Sequence, residues 1–163
     1  MKRNQAFHEE LIPLLVEGIG AERYLEMGTY LNATISRVKC KYRYGVDRNP
    51  IMFNGISFFE MTTAEFIKDL AAEYAPYDFV FIDASHDALD VMKDFVGIWP
   101  HVSDEGLVVL HDGNPETAED ATPGLCGDAW VAIEKLTKMH EAVTLPYCPG
   151  LSIIRKRKSW GPT

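Results

Sequence analysis

Five short stretches of the chain close apolar runs on polar or acidic residues. They are Glu26-Met27-Gly28-Thr29-Tyr30, Asp47-Arg48, Met61-Thr62-Thr63, Asp83-Ala84-Ser85-His86 and His111-Asp112. Carboxylates in such places attract a cation, and an imidazole, with an ordinary pKa near 6.5, accepts a proton at neutral pH. Gly28 has no side chain to keep a ligand away from the backbone. Asp47 follows it by 19 residues, close to the ~20-residue offset at which a carboxylate accepts from both hydroxyls of a ribose. Each residue also has a plainer reading. Gly28 serves as a tight turn, Asp47 as a turn former before Asn49 and Pro50, His86 as a surface residue at a helix start, and His111 as a hydrogen-bonded strand end. The pairing of Gly28 with Asp47 favours a ribose-bearing ligand over two unrelated turns.

These stretches need a scaffold that brings them together, and the hydrophobic pattern supplies one. Arg23 to Met27, Tyr42 to Val46, Ile56 to Met61, Tyr77 to Asp83 and Gly106 to His111 read as strands. Tyr77-Asp-Phe-Val-Phe-Ile-Asp83 has the continuous apolar character of a parallel strand covered on both faces. Between them, helical stripes are expected at Leu31, Ile35 and Val38, at Phe66, Ile67, Leu70 and Tyr74, and at Leu89, Met92, Val96 and Trp99; Trp130, Ile133 and Leu136 stripe a later helix. Thr62 and Glu65 have the spacing of a capping box. Residues 5 to 19 carry Phe7, Leu11, Leu14, Leu15 and Ile19 around Pro13, which predicts one kinked helix or two short ones. Ala142 to Tyr147 and Leu151 to Arg155 flank Cys148-Pro149-Gly150, room only for an antiparallel hairpin. The expectation is a doubly wound α/β protein with a mostly parallel, seven-stranded, Rossmann-like sheet and a C-terminal antiparallel hairpin, formed as a single domain over residues 1–163. In such a sheet ligands bind beyond the carboxyl ends of the strands, where the five stretches converge. The polar loop from Asp112 to Asp128 is long for a compact domain and adjoins the same end.

From Tyr24 to Asn49 and from Asp78 to Asn114 the chain resembles the class I S-adenosylmethionine-dependent methyltransferases, in particular their small-molecule O-methyltransferase branch. Glu26-Met27-Gly28, Ile82-Asp83-Ala84-Ser85-His86, Leu110-His111-Asp112 and Gly127-Asp128-Ala129-Trp130 carry the likeness. The resemblance implies a methyl donor held by Glu26, Gly28, Thr29, Tyr30, Asp47, Arg48, Thr62 and Asp83. Asp47 would hold the ribose, Arg48 cover the adenine face, Thr62 reach its edge, and Asp83 stand near the methyl group. Asn32 stands where a glycine usually closes the first loop, and Thr62 where an acidic residue often follows the third strand. Asp83, His86 and His111 are the catalytic candidates, the two histidines as bases. Asp83 and Asp112 are the candidate ligands for a divalent cation such as magnesium, with Asn114 near enough to join them.

Charge agrees with a sulfonium rather than a pyrophosphate. From Gly28 the sequence reads Gly-Thr-Tyr-Leu-Asn-Ala, without the G-x-G-x-x-G of a dinucleotide loop, and a carboxylate at Glu26 would repel a pyrophosphate. Hence a nicotinamide dehydrogenase is rejected. A noncatalytic S-adenosylmethionine-binding or assembly subunit and an unrelated nucleotide-binding module remain as alternatives. A formal net charge of −8 disfavours nucleic acid as a partner. Cys40, Cys126 and Cys148 form no C-x-x-C pair and fit reduced thiols in a cytoplasm. Met1-Lys2-Arg3-Asn4-Gln5 does not resemble a signal peptide, and no apolar run reaches the ~18 residues of a membrane span. The expected partners are a small-molecule acceptor and, for the oligomer, a second copy of the chain. Tyr30 is the aromatic residue expected in the acceptor pocket, with Trp99 and Trp130 in the core.

Overall fold

Apolar residues alternate along the central strand so that both of its faces are covered. In Tyr77–Ile82 (β4), Phe79 and Phe81 are buried on one face, Val80 and Ile82 on the other. Fully burying a side chain of this size contributes about 1.5–3 kcal/mol, so β4 anchors two cores at once. The computed structural model describes residues 7–158; Met1 to Gln5, and with them the expected start of the first helix, lie outside the described residues. Around β4 run Arg23–Met27 (β1), Tyr42–Asp47 (β2), Ser57–Glu60 (β3), Val102–His111 (β5), Glu141–Leu145 (β6) and Leu151–Arg155 (β7). The sheet order is β3-β2-β1-β4-β5-β7-β6; the first five strands are parallel, and β7 runs antiparallel to both β5 and β6. The order reverses between β1 and β4, where Met27 pairs with Ile82. Gly28 and Asp83 therefore follow the two strands that flank the switch point.

Thr63–Asp69 (α2), Ala71–Tyr74 (α3), Ala88–Ile98 (α4) and Ala129–Met139 (α5) pack around Leu25, Met27, Val80, Ile82 and Val108 on one face of the sheet. Phe7–Gly18 (α1) covers Phe79 and Phe81 on the other. Pro13 lies inside α1 without splitting it. At the seventh position of the helix Pro13 lacks the amide that would reach the Glu9 carbonyl, a cost that the buried face of Ile12 and Val16 offsets.

Four expectations change. The helix expected over Leu31, Ile35 and Val38 is absent: residues 28–41 form successive turns. Ile35 and Val38 still reach the core, but Tyr30 and Asn32 take positive φ angles of 42° and 60°, which no helix accommodates, and Leu31 is exposed. The helix expected through Tyr74 breaks at Leu70 into α2 and α3. The stripe on α4 is rotated from the expected one. Val91, Phe95 and Ile98 are buried, with Asp94 among them, while Leu89 and Val96 face solvent. Similarly, Trp130 is 37% exposed rather than core. Both errors have one cause: on a short helix rich in apolar residues, two stripes satisfy the same period and only the partner surface chooses.

Candidate active site

Gly28 follows β1 with φ +91°, and a Cβ there would lie 2.3 Å from the Asp83 carbonyl oxygen and 2.5 Å from Ala84 Cα. Its first role is thus to let the β1 and β4 loops touch, a tighter requirement than the approach of a ligand. Asp47, at the end of β2, fastens the same loop. Its Oδ2 accepts from the backbone amides of Thr29 and Tyr30, both at 3.0 Å, and its Oδ1 from that of Asn49 at 2.9 Å. Burial opposes the charge of Asp47, but the amides of Asn49, Tyr30, Thr29 and Arg48 outweigh it and hold the carboxyl below its ordinary pKa. Asp47 is therefore ionised at neutral pH.

Beyond these loops lies a cleft of about 580 Å³ lined by Gly28, Asp47, Arg48 and Asn49 at one side and by Met61, Thr62, Thr63, Ala84, Ser85 and α4 at the other. A second cavity of about 340 Å³ is lined by Tyr30, Asp83, His86, His111, Asp112, Cys126, Cys148 and Pro149. The two adjoin along Asp83-Ala84-Ser85-His86, of which Ala84 and Ser85 face the first and Asp83 and His86 the second. Of the residues expected to hold a donor, Gly28, Asp47, Arg48 and Thr62 border the first cavity, Tyr30 and Asp83 the second.

Glu26 borders neither. It lies on the same face of β1 as Tyr24, is 2% exposed, and accepts a hydrogen bond from the Tyr24 hydroxyl. Burial, reinforced by the charge of Asp83, raises its pKa well above the carboxylate range despite that hydrogen bond. Glu26 is a neutral acid beneath the loop and supplies no charge to a ligand, a correction to its expected role. Thr29 is buried too, with its amide on Asp47 and its side chain bordering neither cavity. The Thr62 hydroxyl donates to Glu65 Oε2 at 2.7 Å and accepts from the Glu65 amide at 3.2 Å, completing the capping box of α2. That hydroxyl is committed to its helix, so Thr62 offers the cleft little beyond its methyl group.

The second cavity is where charge gathers. His111 Nδ1 lies 3.2 Å from Asp83 Oδ1 and 3.3 Å from Asp112 Oδ1, and His86 Nε2 lies 3.3 Å from Asp112 Oδ2. Burial disfavours the imidazolium of His111, but Asp83 and Asp112 overcome it and raise its pKa to about 10. Asp83 is held below its ordinary value: burial resists, and the His111 charge prevails. His111 is thus protonated at neutral pH and cannot accept a proton, which removes it as a base. His86 is 40% exposed to the cavity, with its imidazole at the carboxylate of Asp112. Asp112 itself has φ +65°, a conformation that an aspartate tolerates better than most residues and that is common at working sites.

Three supports of this cavity were not anticipated. His8 of α1 sits with its ring centroid 4.5 Å from that of His111, and burial, then the His111 charge, lowers its pKa, so it is neutral. Its signal was present: His8, Ile12 and Val16 recur every four residues, and Ile12 and Val16 form the buried face of α1. Gly127 packs so tightly on His86 that a Cβ would lie 2.2 Å from the His86 carbonyl oxygen, which accepts from the amides of Asp128 and Ala129, both at 3.1 Å. Asp128 Oδ1 in turn accepts from the Ala88 amide at 2.7 Å. The Asp112–Asp128 loop is thereby fastened to His86. Cys126 is buried and hydrogen-bonded to Asp112; burial, with the Asp112 charge, pushes its thiol up to about 12. All three cysteines are free.

Asp83, His86 and Asp112 each direct one ligating atom into a group whose members lie within 4.8 Å of one another. Two carboxylate oxygens suit magnesium, which prefers oxygen, and the imidazole can stay outside the set. Asn114 is turned elsewhere, with its amide on the Tyr147 carbonyl at 3.4 Å.

A family model described as a methyltransferase domain matches residues 25–113, more than half of the chain. A curated relative, mycinamicin VI 2''-O-methyltransferase of Micromonospora griseorubida, is 38% identical over 53 residues, which are 32% of this chain and 13% of that protein. Among solved structures, MycE methyltransferase of the mycinamycin pathway, in complex with Mg, S-adenosylhomocysteine and mycinamycin VI, aligns over 93% of this chain and 50% of its own, with TM-score 0.61 and 22% identity. The O-methyltransferase TomG of Streptomyces achromogenes, in complex with S-adenosylmethionine, aligns over 92% of this chain and 79% of its own, with TM-score 0.66 and 16% identity. These two likenesses establish the sheet and helix arrangement. The chain spans only a small part of the curated relative and half of MycE.

Proposed function

The chain belongs to the methyltransferase-domain family, and from that premise we propose that it transfers a methyl group from S-adenosylmethionine to an oxygen of a small-molecule, sugar-like acceptor. One observation carries the reading: a cleft of about 580 Å³ with an ionised Asp47 at its edge adjoins a second cavity whose wall holds Asp83 and the exposed imidazole of His86. When bound in the cleft, the sulfonium supplies the methyl group. Asp83, ionised and close to Gly28, favours its positive charge from the boundary of the two cavities. The acceptor hydroxyl would lie beside His86, whose imidazole takes the proton lost as the new C–O bond forms and the C–S bond breaks. Holding the two reactants in adjoining cavities supplies the in-line geometry from which much of the rate comes. The O-methyltransferase names of the curated relative and of TomG favour oxygen over nitrogen as the methylated atom.

Asp83 and Asp112 fit a magnesium ion, which would polarise the acceptor oxygen and leave His86 free for the proton. We further place the protein in the cytoplasm, as one domain over residues 1–163, with a second copy of the chain as its macromolecular partner. Among the described residues no helix is long and apolar enough to cross a membrane.

Thermal unfolding with S-adenosylmethionine, S-adenosylhomocysteine, nicotinamide dinucleotide and ATP in turn tests the donor assignment. The first two should each add about 2.7 kcal/mol of stability at 100 times their dissociation constants. Stabilisation by the dinucleotide or ATP alone would overturn it. Donor binding without methyl transfer to any sugar hydroxyl would instead favour the noncatalytic subunit.

A further inference from the structure

The donor cleft contains one charged residue that neither the loops nor the core account for. Asp94 lies on the buried face of α4 between Val91, Phe95 and Ile98, is 3% exposed, and still borders the cleft beside Thr63 and Met61. Its side-chain hydrogen-bond partner is Thr63, the first residue of α2. The nearest cation on its own helix, Lys93, pairs with Asp90 at 3.3 Å and leaves Asp94 without a counter-ion among the described residues. Burying a carboxyl without a counter-ion costs free energy, and an apolar residue would fill this place on α4 at no such cost. What sets Asp94 apart from Val91, Phe95 and Ile98 is that it borders the cleft and they do not.

The position of that wall limits what it can meet. Asp47 and Gly28 border the cleft on the side of β1 and β2, and Thr63 and Asp94 border it where α2 faces α4. A nucleoside whose ribose lies at Asp47 would extend its base between Arg48 and the α2–α4 wall. We propose that Asp94 is a specificity-determining residue for the nucleoside base: its carboxyl, steadied by Thr63, receives an exocyclic amine and rejects a carbonyl in the same place. The inference rests on the donor reading above and deepens it, because it specifies a 6-amino purine over a 6-oxo purine. A carboxylate oxygen accepts from the amine of adenine, whereas the carbonyl of a 6-oxo purine would set two acceptors against each other. Burial, against the pull of the Thr63 hydroxyl, raises the pKa of Asp94 to about 6.

The test compares the affinities of S-adenosylhomocysteine and S-inosylhomocysteine, measured by calorimetry on the full chain and on Asp94→Asn and Asp94→Ala. The wild type should prefer the adenosyl compound by roughly tenfold or more, one well-made hydrogen bond against one mismatch. In Asp94→Asn the amide can turn its N–H towards a carbonyl, so the preference should shrink to about threefold or less. In Asp94→Ala the adenosyl compound should weaken by about tenfold and the inosyl compound by less than twofold. A merely structural role would weaken both together and keep their ratio, so an unchanged ratio overturns the proposal. If Asp94→Ala does not fold, the near-isosteric Asp94→Asn decides alone. Wild-type protein that binds the adenosyl compound without discrimination overturns the role of Asp94 and leaves the donor reading standing; binding of neither compound overturns both.

Discussion

The two cavities are built by opposite means. The donor cleft is made from loops that follow the adjacent strands β1, β2 and β4 and are fastened to one another directly at the strand ends: Gly28 against Asp83 and Ala84, Asp47 on the amides of Thr29, Tyr30 and Asn49. The acceptor cavity gathers His86 after β4, Asp112 and Cys126 from the long loop and Cys148 from the hairpin turn, with His8 of α1 packed on His111 of its wall. Its ties run between the long loop and the segments around it, His86 with Ala129 and Asn114 with Pro149. The order of the parallel strands sets the cleft, whereas the gathered cavity also needs α1, the long loop and the hairpin turn in place. The first is therefore the more robust and the second the easier to alter alone.

Substitutions can separate the two. The largest effect is expected from His86→Ala: turnover should fall by about 10²–10⁴-fold while the affinity for S-adenosylhomocysteine stays within twofold. Steady-state kinetics beside calorimetry checks this, and equal losses in both would show that the cavities are not independent. Next, Gly28→Ala sets a methyl group into the Asp83 backbone at a positive φ and should cost roughly 2–3 kcal/mol in urea unfolding, together with donor affinity. Gly127→Ala meets a similar clash at His86. It should cost roughly 1–3 kcal/mol and slow turnover, yet spare donor affinity.

A smaller effect follows from Asp94. Its folded pKa of about 6 exceeds the ordinary 3.8, so the folded state binds this proton more tightly than the unfolded state does. The contribution of Asp94 to stability is then complete below about pH 4 and is lost as pH rises through about 6. Asp94→Asn should remove that slope and leave the variant about 2 kcal/mol more stable relative to wild type at pH 8 than at pH 4, by chemical denaturation across that range. The smallest effect is expected from Thr62→Ala, which should cost about 1 kcal/mol through the α2 cap and leave donor affinity unchanged. A marked loss of affinity would restore Thr62 to the binding surface.

The same contrast explains what the sequence made legible. Strands ending in Gly28, Asp47 and Asp83 were readable because a buried parallel strand writes its apolar run and its polar terminus contiguously. Glu26 was misread because alternation along β1 turns it away from the cleft to Tyr24, and one strand read alone does not say which face meets water. His111 kept its place but lost its role as a base, since two carboxylates converge on it only in three dimensions. His8 and Gly127 act through contacts with His111 and His86 that local spacing does not encode. Asp94 was overlooked because a carboxylate on a helix reads as a solvated face until the α4 stripe is known to be rotated.

The antiparallel course of β7 sends the turn at residues 146–150 back to the carboxyl end of β5, where Leu151 pairs with His111 and Cys148 and Pro149 enter the acceptor wall. Five residues joining the edge strand β6 to β7 thus form a cassette, anchored to the rest through Asn114 and absent from the wall of the donor cleft. Exchanging that cassette is a route by which acceptor range can diversify among descendants of one ancestor while the donor stays the same.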